Sequence, residues 1–140
     1  MSYLDALRQE HAELVEIVRE LGRVIARPAP PPQTELFELR RRLTSTLITH
    51  LKAEDWLLYP RLLAGSDSGI AGIAKAFSEE MGGLALAYSA HAERWGADAI
   101  EQDWTGYGDA TRGIIDALTR RISRENRELY PLLETLDKAA

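Results

Sequence analysis

Apolar residues recur every three or four positions over long stretches of the chain, the pattern of amphipathic helices. The first stretch is predicted to start at Ser2, with Asp5 three positions later as the acidic partner of a helix cap. Prolines at positions 28, 30, 31 and 32 end it. Its inward stripe places a histidine among apolar residues: Leu4, Leu7, His11, Leu14, Val18, Leu21 and Ile25.

Three further stretches have the same period, and none of the chain has the alternating pattern of a strand. The predicted helices cover residues 34 to about 59, about 70–95 and about 104–136, with connectors at 64–69 and 96–103. Four long amphipathic helices indicate an all-α fold of the helical-bundle type. A chain of 140 residues and 15.7 kDa is expected to form a single domain, residues 1–140.

A proline and a pair of glycines disturb these predicted helices. Pro60 has no backbone N–H, so a kink or a stop is expected near Tyr59. Gly82 and Gly83 lie inside the third helix and weaken it by roughly 1 kcal/mol each relative to alanine. A close backbone contact is the expected reason for the two glycines.

The most informative pattern is a motif that occurs twice. Residues 50–60 (HLKAEDWLLYP) align without a gap on residues 121–131 (RISRENRELYP), because 121 − 50 and 131 − 60 are both 71. Positions i and i+4 share one face of a helix, so His50 points with Glu54, and Arg121 with Glu125. The first pair presents a nitrogen and an oxygen ligand to one metal ion, whereas the second has a guanidinium in place of an imidazole.

A second match extends the repeat to the other two helices. Residues 9–11 (QEH) align with residues 79–81 (EEM), since 81 − 11 is 70. The chain therefore has an internal two-fold pseudo-repeat, in which helices 1 and 2 correspond to helices 3 and 4. The inward polar set is His11, His50 and Glu54 from the first half, and Met81, Arg121 and Glu125 from the second.

The amino-acid composition limits the kinds of binding site that the chain can form. A net charge of −5 argues against a nucleic-acid surface, and no apolar run approaches the length of a membrane span. The absence of cysteine excludes disulfides and thiolate sites, so any metal ligands are His, Asp, Glu or a weaker donor such as Met. No secretory signal is visible at the N-terminus, and a cytoplasmic protein is expected.

With these motifs, the sequence resembles bacterial hemerythrin-like (HHE cation-binding) domains over nearly its whole length. That family has His, His-x-x-x-Glu, His and His-x-x-x-Glu on successive helices of an up-down-up-down four-helix bundle that holds two bridged iron ions. The resemblance implies that His11 and His50 serve the first iron and that Glu54 and Glu125 bridge both. Met81 and Arg121 stand where the histidines of the second iron are expected, so a second iron is not expected here.

The residues themselves leave two outcomes open. In the first, one divalent ion, with iron favoured, binds to His11, His50, Glu54 and Glu125, a ligand set that suits Fe(II), Mn(II) or Zn(II). In the second, no metal binds. Arg121 cannot be a ligand, but its guanidinium can neutralise the two glutamates with a geometry suited to carboxylates. Met81 then fills space in the core.

Several aromatic residues have two interpretations. Tyr59, Tyr88 and Tyr130 are candidate donors to the metal ligands, but packing at the bundle end or in the core is the simpler interpretation. His91 lies about 15 Å along the helix axis from Met81, too far for the same metal layer. Trp56 is predicted to point outward and is a candidate for contact with a protein partner or a second copy of the chain.

Three classes of function follow in order of preference. The first is a metal-binding sensor or carrier whose ligand is a small diatomic molecule. The second is a metal-free regulatory or interaction module in which the former di-iron site is a structural Arg–Glu–His network. An enzyme is the least favoured class, because no nucleophile or acid–base constellation is present.

Overall fold

The computed structural model describes residues 3–139, with side chains described through residue 135. This part of the chain is all-α and contains no strand, as predicted. Ser2 lies outside it, so the predicted cap at Ser2 does too. The helices are α1 (Tyr3–Ile25), α2 (Gln33–Lys52), α3 (Tyr59–Leu63), α4 (Ser68–Met81), α5 (Leu84–Arg94), α6 (Ala97–Gln102), α7 (Trp104–Arg124) and α8 (Tyr130–Ala139).

Two π-helical segments join pairs of α-helices into longer continuous helices. The first, Ala53–Leu58, links α2 to α3, and the second, Glu125–Leu129, links α7 to α8. Ala53 and Tyr59 at the ends of the first segment keep right-handed helical angles, so the helix does not stop at Tyr59 but continues to Leu63. A π turn is wider than an α turn. It therefore leaves more room for the ring of the proline that follows each segment, Pro60 or Pro131. The two copies of the motif thus share a backbone geometry as well as a sequence.

The third predicted helix is two helices, because α4 ends at Gly82 and α5 begins after Gly83. A Cβ atom added at Gly82 would lie 2.4 Å from the backbone oxygen of Ser78, whereas one at Gly83 would meet nothing within 4 Å. The expected close backbone contact therefore exists at the first glycine only.

Alanine substitutions should separate these two glycines. Gly82→Ala is expected to lower the free energy of unfolding by about 1–3 kcal/mol, the usual cost of forcing an extra carbon into a filled space. Gly83→Ala should be neutral or slightly stabilising, because alanine restricts the unfolded chain more than glycine does. Urea unfolding of both variants tests this, and equal losses at the two positions would contradict it.

The predicted connector at 96–103 contains the short helix α6, whose Ile100 is buried. Gly96 precedes it in an extended conformation, and Asp103 ends it and caps α7 by accepting a hydrogen bond from the Gly106 amide at 2.9 Å. Packing of Ile100 into the core thus turned a stretch with few helix signals into a helix.

The core consists of two apolar clusters with a polar layer between them. The first cluster fills one end of the bundle around Leu14, Leu47 and Leu118, and the second fills the other end around Leu7 and Leu129. Along each long helix, the buried polar residues fall between the part that enters one cluster and the part that enters the other. The polar layer consists of His11, His50, Glu54, Arg121 and Glu125.

Candidate metal centre

Four potential ligands converge inside the bundle from four different elements. His11 comes from α1, His50 from α2, Glu54 from the first π segment and Glu125 from the second. All four are buried, and one ligand atom from each lies within 4.8 Å of the other three. Two ligands on opposite sides of an ion at about 2.1 Å are roughly 4.2 Å apart. A small contraction of this group would therefore enclose one ion.

Both histidines are held with the same ring nitrogen directed at the centre. Nδ1 of His11 lies 2.8 Å from Oδ1 of Asn126, and Nδ1 of His50 lies 2.7 Å from Oε1 of Glu10. A carboxylate or amide oxygen can only accept, so each Nδ1 donates and each Nε2 faces inward. This is the outer arrangement that orients histidines as metal ligands.

The inward nitrogen of His50 lacks a good partner in the part of the chain that the structure describes. It is buried 3.1 Å from Oε1 of Glu54 without forming a hydrogen bond of normal geometry. A lone pair that faces a carboxylate oxygen at this distance is unfavourable unless a proton or a metal ion lies between them. This contact is the strongest local indication that the centre can accept a cation.

Arg121 fills the other side of the centre, with only 2% of its surface exposed. Its Nη2 donates to Glu54 at 3.1 Å and to Asp55 at 2.6 Å, and its Nε donates to Glu125 at 3.3 Å. A cationic side chain thus binds both glutamates. The four candidate ligands could hold a metal ion beside it.

Met81 contacts the centre through its backbone. Its buried side chain packs with Phe77 in the second apolar cluster, while its backbone oxygen accepts a hydrogen bond from Arg121 Nη1 at 3.2 Å. The position is therefore adjacent to the centre but is used through its backbone.

Two tyrosines bind the carboxylates in a crossed pattern. The Tyr59 hydroxyl donates to Glu125 at 2.6 Å, and the Tyr130 hydroxyl donates to Glu54 at 2.5 Å, so each copy of the motif holds the glutamate of the other copy. Both tyrosines also pack in the second apolar cluster, as the simpler interpretation expected. Tyr88 lies elsewhere and pairs with Thr44 at 2.6 Å.

Sequence reasoning missed three residues of the centre: Glu10, Asp55 and Asn126. Asp55 follows Glu54 directly, and an ideal α-helix would turn it away. The wider π turn brings both side chains to Arg121. Glu10 precedes His11 and Asn126 follows Glu125 in the sequence, so a search for acceptors next to each candidate ligand would have found them.

The two glutamates of the metal-free centre differ in pKa. Burial opposes ionisation of Glu54, but the neighbouring His50 and Arg121 lower its pKa to about 2. Burial and the charge of Glu54 raise the pKa of Glu125 well above its ordinary value, which favours its protonated form.

The two histidines differ in the direction in which their pKa is shifted. Burial and the nearby His50 lower the pKa of His11 to about 4. Burial also acts to lower the pKa of His50, but Glu54 and Glu10 outweigh it and the pKa is raised. In the absence of metal, His50 therefore binds a proton at a higher pH than His11 does.

A helical bundle with inward histidines and carboxylates defines a class of proteins whose core can hold a cation. Comparison with family models narrows that class, because the hemerythrin HHE cation binding domain matches residues 2–133. The chain belongs to this family. Comparisons with curated proteins and with solved structures gave no match. Within residues 3–139, no helix is long and apolar enough to cross a membrane.

Proposed function

We propose that this protein is a sensor or carrier that holds one non-haem metal ion, iron in preference to other divalent metals. The site therefore holds one metal ion where the family holds two. It lies in a single cytoplasmic domain of residues 1–140 that forms an up-down-up-down four-helix bundle. Its ligands are His11, His50, Glu54 and Glu125.

One observation carries this proposal: four ligand atoms converge within 4.8 Å on one side of a buried arginine. Two imidazoles with carboxylate oxygens suit Fe(II), Mn(II) or Zn(II). When bound, iron would supply an open coordination position for a small diatomic ligand. The chain supplies the rest: Glu10 and Asn126 orient the rings, Tyr59 and Tyr130 fix the carboxylates, and the two apolar clusters keep bulk water out.

Metal content tests the proposal directly. Untagged protein loaded with Fe(II) without oxygen and then desalted should contain about one metal ion per chain by elemental mass spectrometry, as expected for a single imidazole–carboxylate ligand set. His50→Ala should retain almost none, because it removes an inward nitrogen of the ligand group.

His91→Ala is the matched control, since His91 bonds to Thr111 outside the centre and its loss should leave the metal content unchanged. His11→Gln tests the second imidazole in case His50→Ala does not fold, with circular dichroism to verify both folds. Metal content near zero in the wild type, or unchanged in both ligand variants, would overturn the proposal.

The ion pairs of Arg121 with Glu54 and Glu125 support a second candidate, a regulatory module whose Arg–Glu–His network is structural. Function would then lie on the outer surface, where Trp56 is 69% exposed beside the exposed Leu57. Such a surface fits a protein partner or a second copy of the chain. A wild-type protein that binds no metal, together with loss of self-association or partner capture in Trp56→Ala, is the result that would favour this function.

A further inference from the structure

A pocket of about 450 Å³ lies in the half of the bundle that contains the first apolar cluster. Residues from α1, α2, α5 and α7 line it, and none of the four candidate metal ligands is among them. Its size is within the range of small-molecule sites in proteins. Much of the wall is apolar and comes from Leu21, Leu43, Ile114 and Ile115.

Arg40 gives this apolar pocket a positive charge. The side chain is half-buried, donates from Nη2 to the backbone oxygen of Trp95 at 2.7 Å, and lies over the ring of Tyr107 at 5.8 Å. Within the described residues no carboxylate approaches it to salt-bridge distance. The adjacent Arg41 is exposed and is already paired with Glu38 at 2.6 Å.

Tyr107 provides a second, independent observation. The residue lines the pocket, its side chain is fully buried, and its hydroxyl makes no hydrogen bond of normal geometry with any described residue. Thr111 is close by, and its hydroxyl also pairs with Nε2 of His91 at 3.0 Å. A buried hydroxyl without a partner of good geometry is rare and unfavourable, and a ligand oxygen would satisfy it once a small shift of the pocket wall exposes it.

The remaining polar groups fit an anion. The pocket lining contains no Asp or Glu, although the whole chain has a net charge of −5. Thr44 and Tyr88 add a pair of hydroxyl groups, 2.6 Å apart, to the same wall. A single unpaired guanidinium among hydroxyls and apolar side chains matches a singly charged group better than a phosphate, which carries more charge and needs more donors.

We infer that this pocket binds a small monocarboxylic acid with an apolar body. The carboxylate pairs with Arg40 and accepts a hydrogen bond from Tyr107, and the body lies against the apolar wall. Phe37 lines the pocket with 65% of its surface exposed, and a bound ligand would cover part of it.

Calorimetric titration of the full chain with octanoate and with 1-octanol tests this inference. The two probes share an alkyl chain and differ in charge. Octanoate should bind saturably at one site, and the alcohol roughly tenfold or more weakly, because a hydrogen bond to a charged group is worth about that much in affinity. Equal affinity of the two probes, or no saturable binding of octanoate, would overturn the inference.

Variants locate the site. Arg40→Gln is expected to weaken octanoate binding roughly tenfold or more, and Tyr107→Phe should weaken it by a smaller factor. Arg42→Gln is the matched control, because it removes a neighbouring charge that pairs with Glu20 and does not line the pocket. Arg40→Lys, which keeps the charge, covers the case in which Arg40→Gln does not fold, and it should bind octanoate better than 1-octanol.

Octanoate affinity that is unchanged in both Arg40→Gln and Tyr107→Phe, or lowered as much by Arg42→Gln, would place binding elsewhere and contradict the inference. Metal content of the Arg40 and Tyr107 variants should equal that of the wild type, so this test does not depend on the metal centre.

Discussion

Arg121→Ala is expected to lower the free energy of unfolding of the metal-free protein by about 3–5 kcal/mol, the usual cost of removing one partner from a buried ion pair. The substitution leaves Glu54 and Asp55 without their guanidinium and removes the donor to the Met81 backbone oxygen. Urea unfolding in the presence of a chelator measures the loss without interference from metal.

Arg124→Ala is the control for this experiment. Arg124 is three residues further along and also pairs with glutamates, Glu80 and Glu128, but those contacts are exposed to solvent. Exposed pairs contribute little, so this variant should unfold close to the wild type. Similar behaviour of the two variants would mean that the Arg121 network does not stabilise the bundle.

The double variant Met81→His, Arg121→His is expected to raise the metal content from about one ion per chain to about two, because it restores two imidazoles opposite two bridging carboxylates. Position 81 corresponds to His11 in the repeat and position 121 to His50, and both positions contact the centre. Elemental analysis after anaerobic Fe(II) loading measures the change.

Met81→His alone separates the effect of the added imidazole from the effect of removing the Arg121 guanidinium. It adds an imidazole but keeps the guanidinium between the glutamates, so its metal content should remain that of the wild type. A folded double variant that still binds no more metal than the wild type would show that Arg121 is not what excludes the second ion.

The inward-facing residues could be predicted because the helical period and the internal repeat of the sequence identify them. His50 and Glu54 are four positions apart, His11 lies on an apolar stripe, and Glu125 follows from the repeat. The structure brings these four together as expected. Their role as ligands stays a prediction until metal is measured.

Backbone departures from the α-helix could not be predicted in the same way. A π turn changes which amide meets which carbonyl, and the side chains carry no clear signal of it, so the contact of Asp55 with Arg121 was not predicted. The sequence also does not show that a side chain at position 82 would meet the backbone of Ser78. Tyr59 and Tyr130 were candidate donors, but separation along the chain could not show which glutamate each one binds.

The polar layer between the two apolar clusters has a consequence for how the helices align. Leucines tolerate sliding, because one leucine can replace another when a helix shifts by one turn of about 5.4 Å. Arg121 does not, since such a shift would move it away from Glu54 and into an apolar cluster, where an unpaired charge is very unfavourable. The residues that form the candidate metal centre therefore stabilise one axial register of the helices and destabilise the registers that are shifted by one turn.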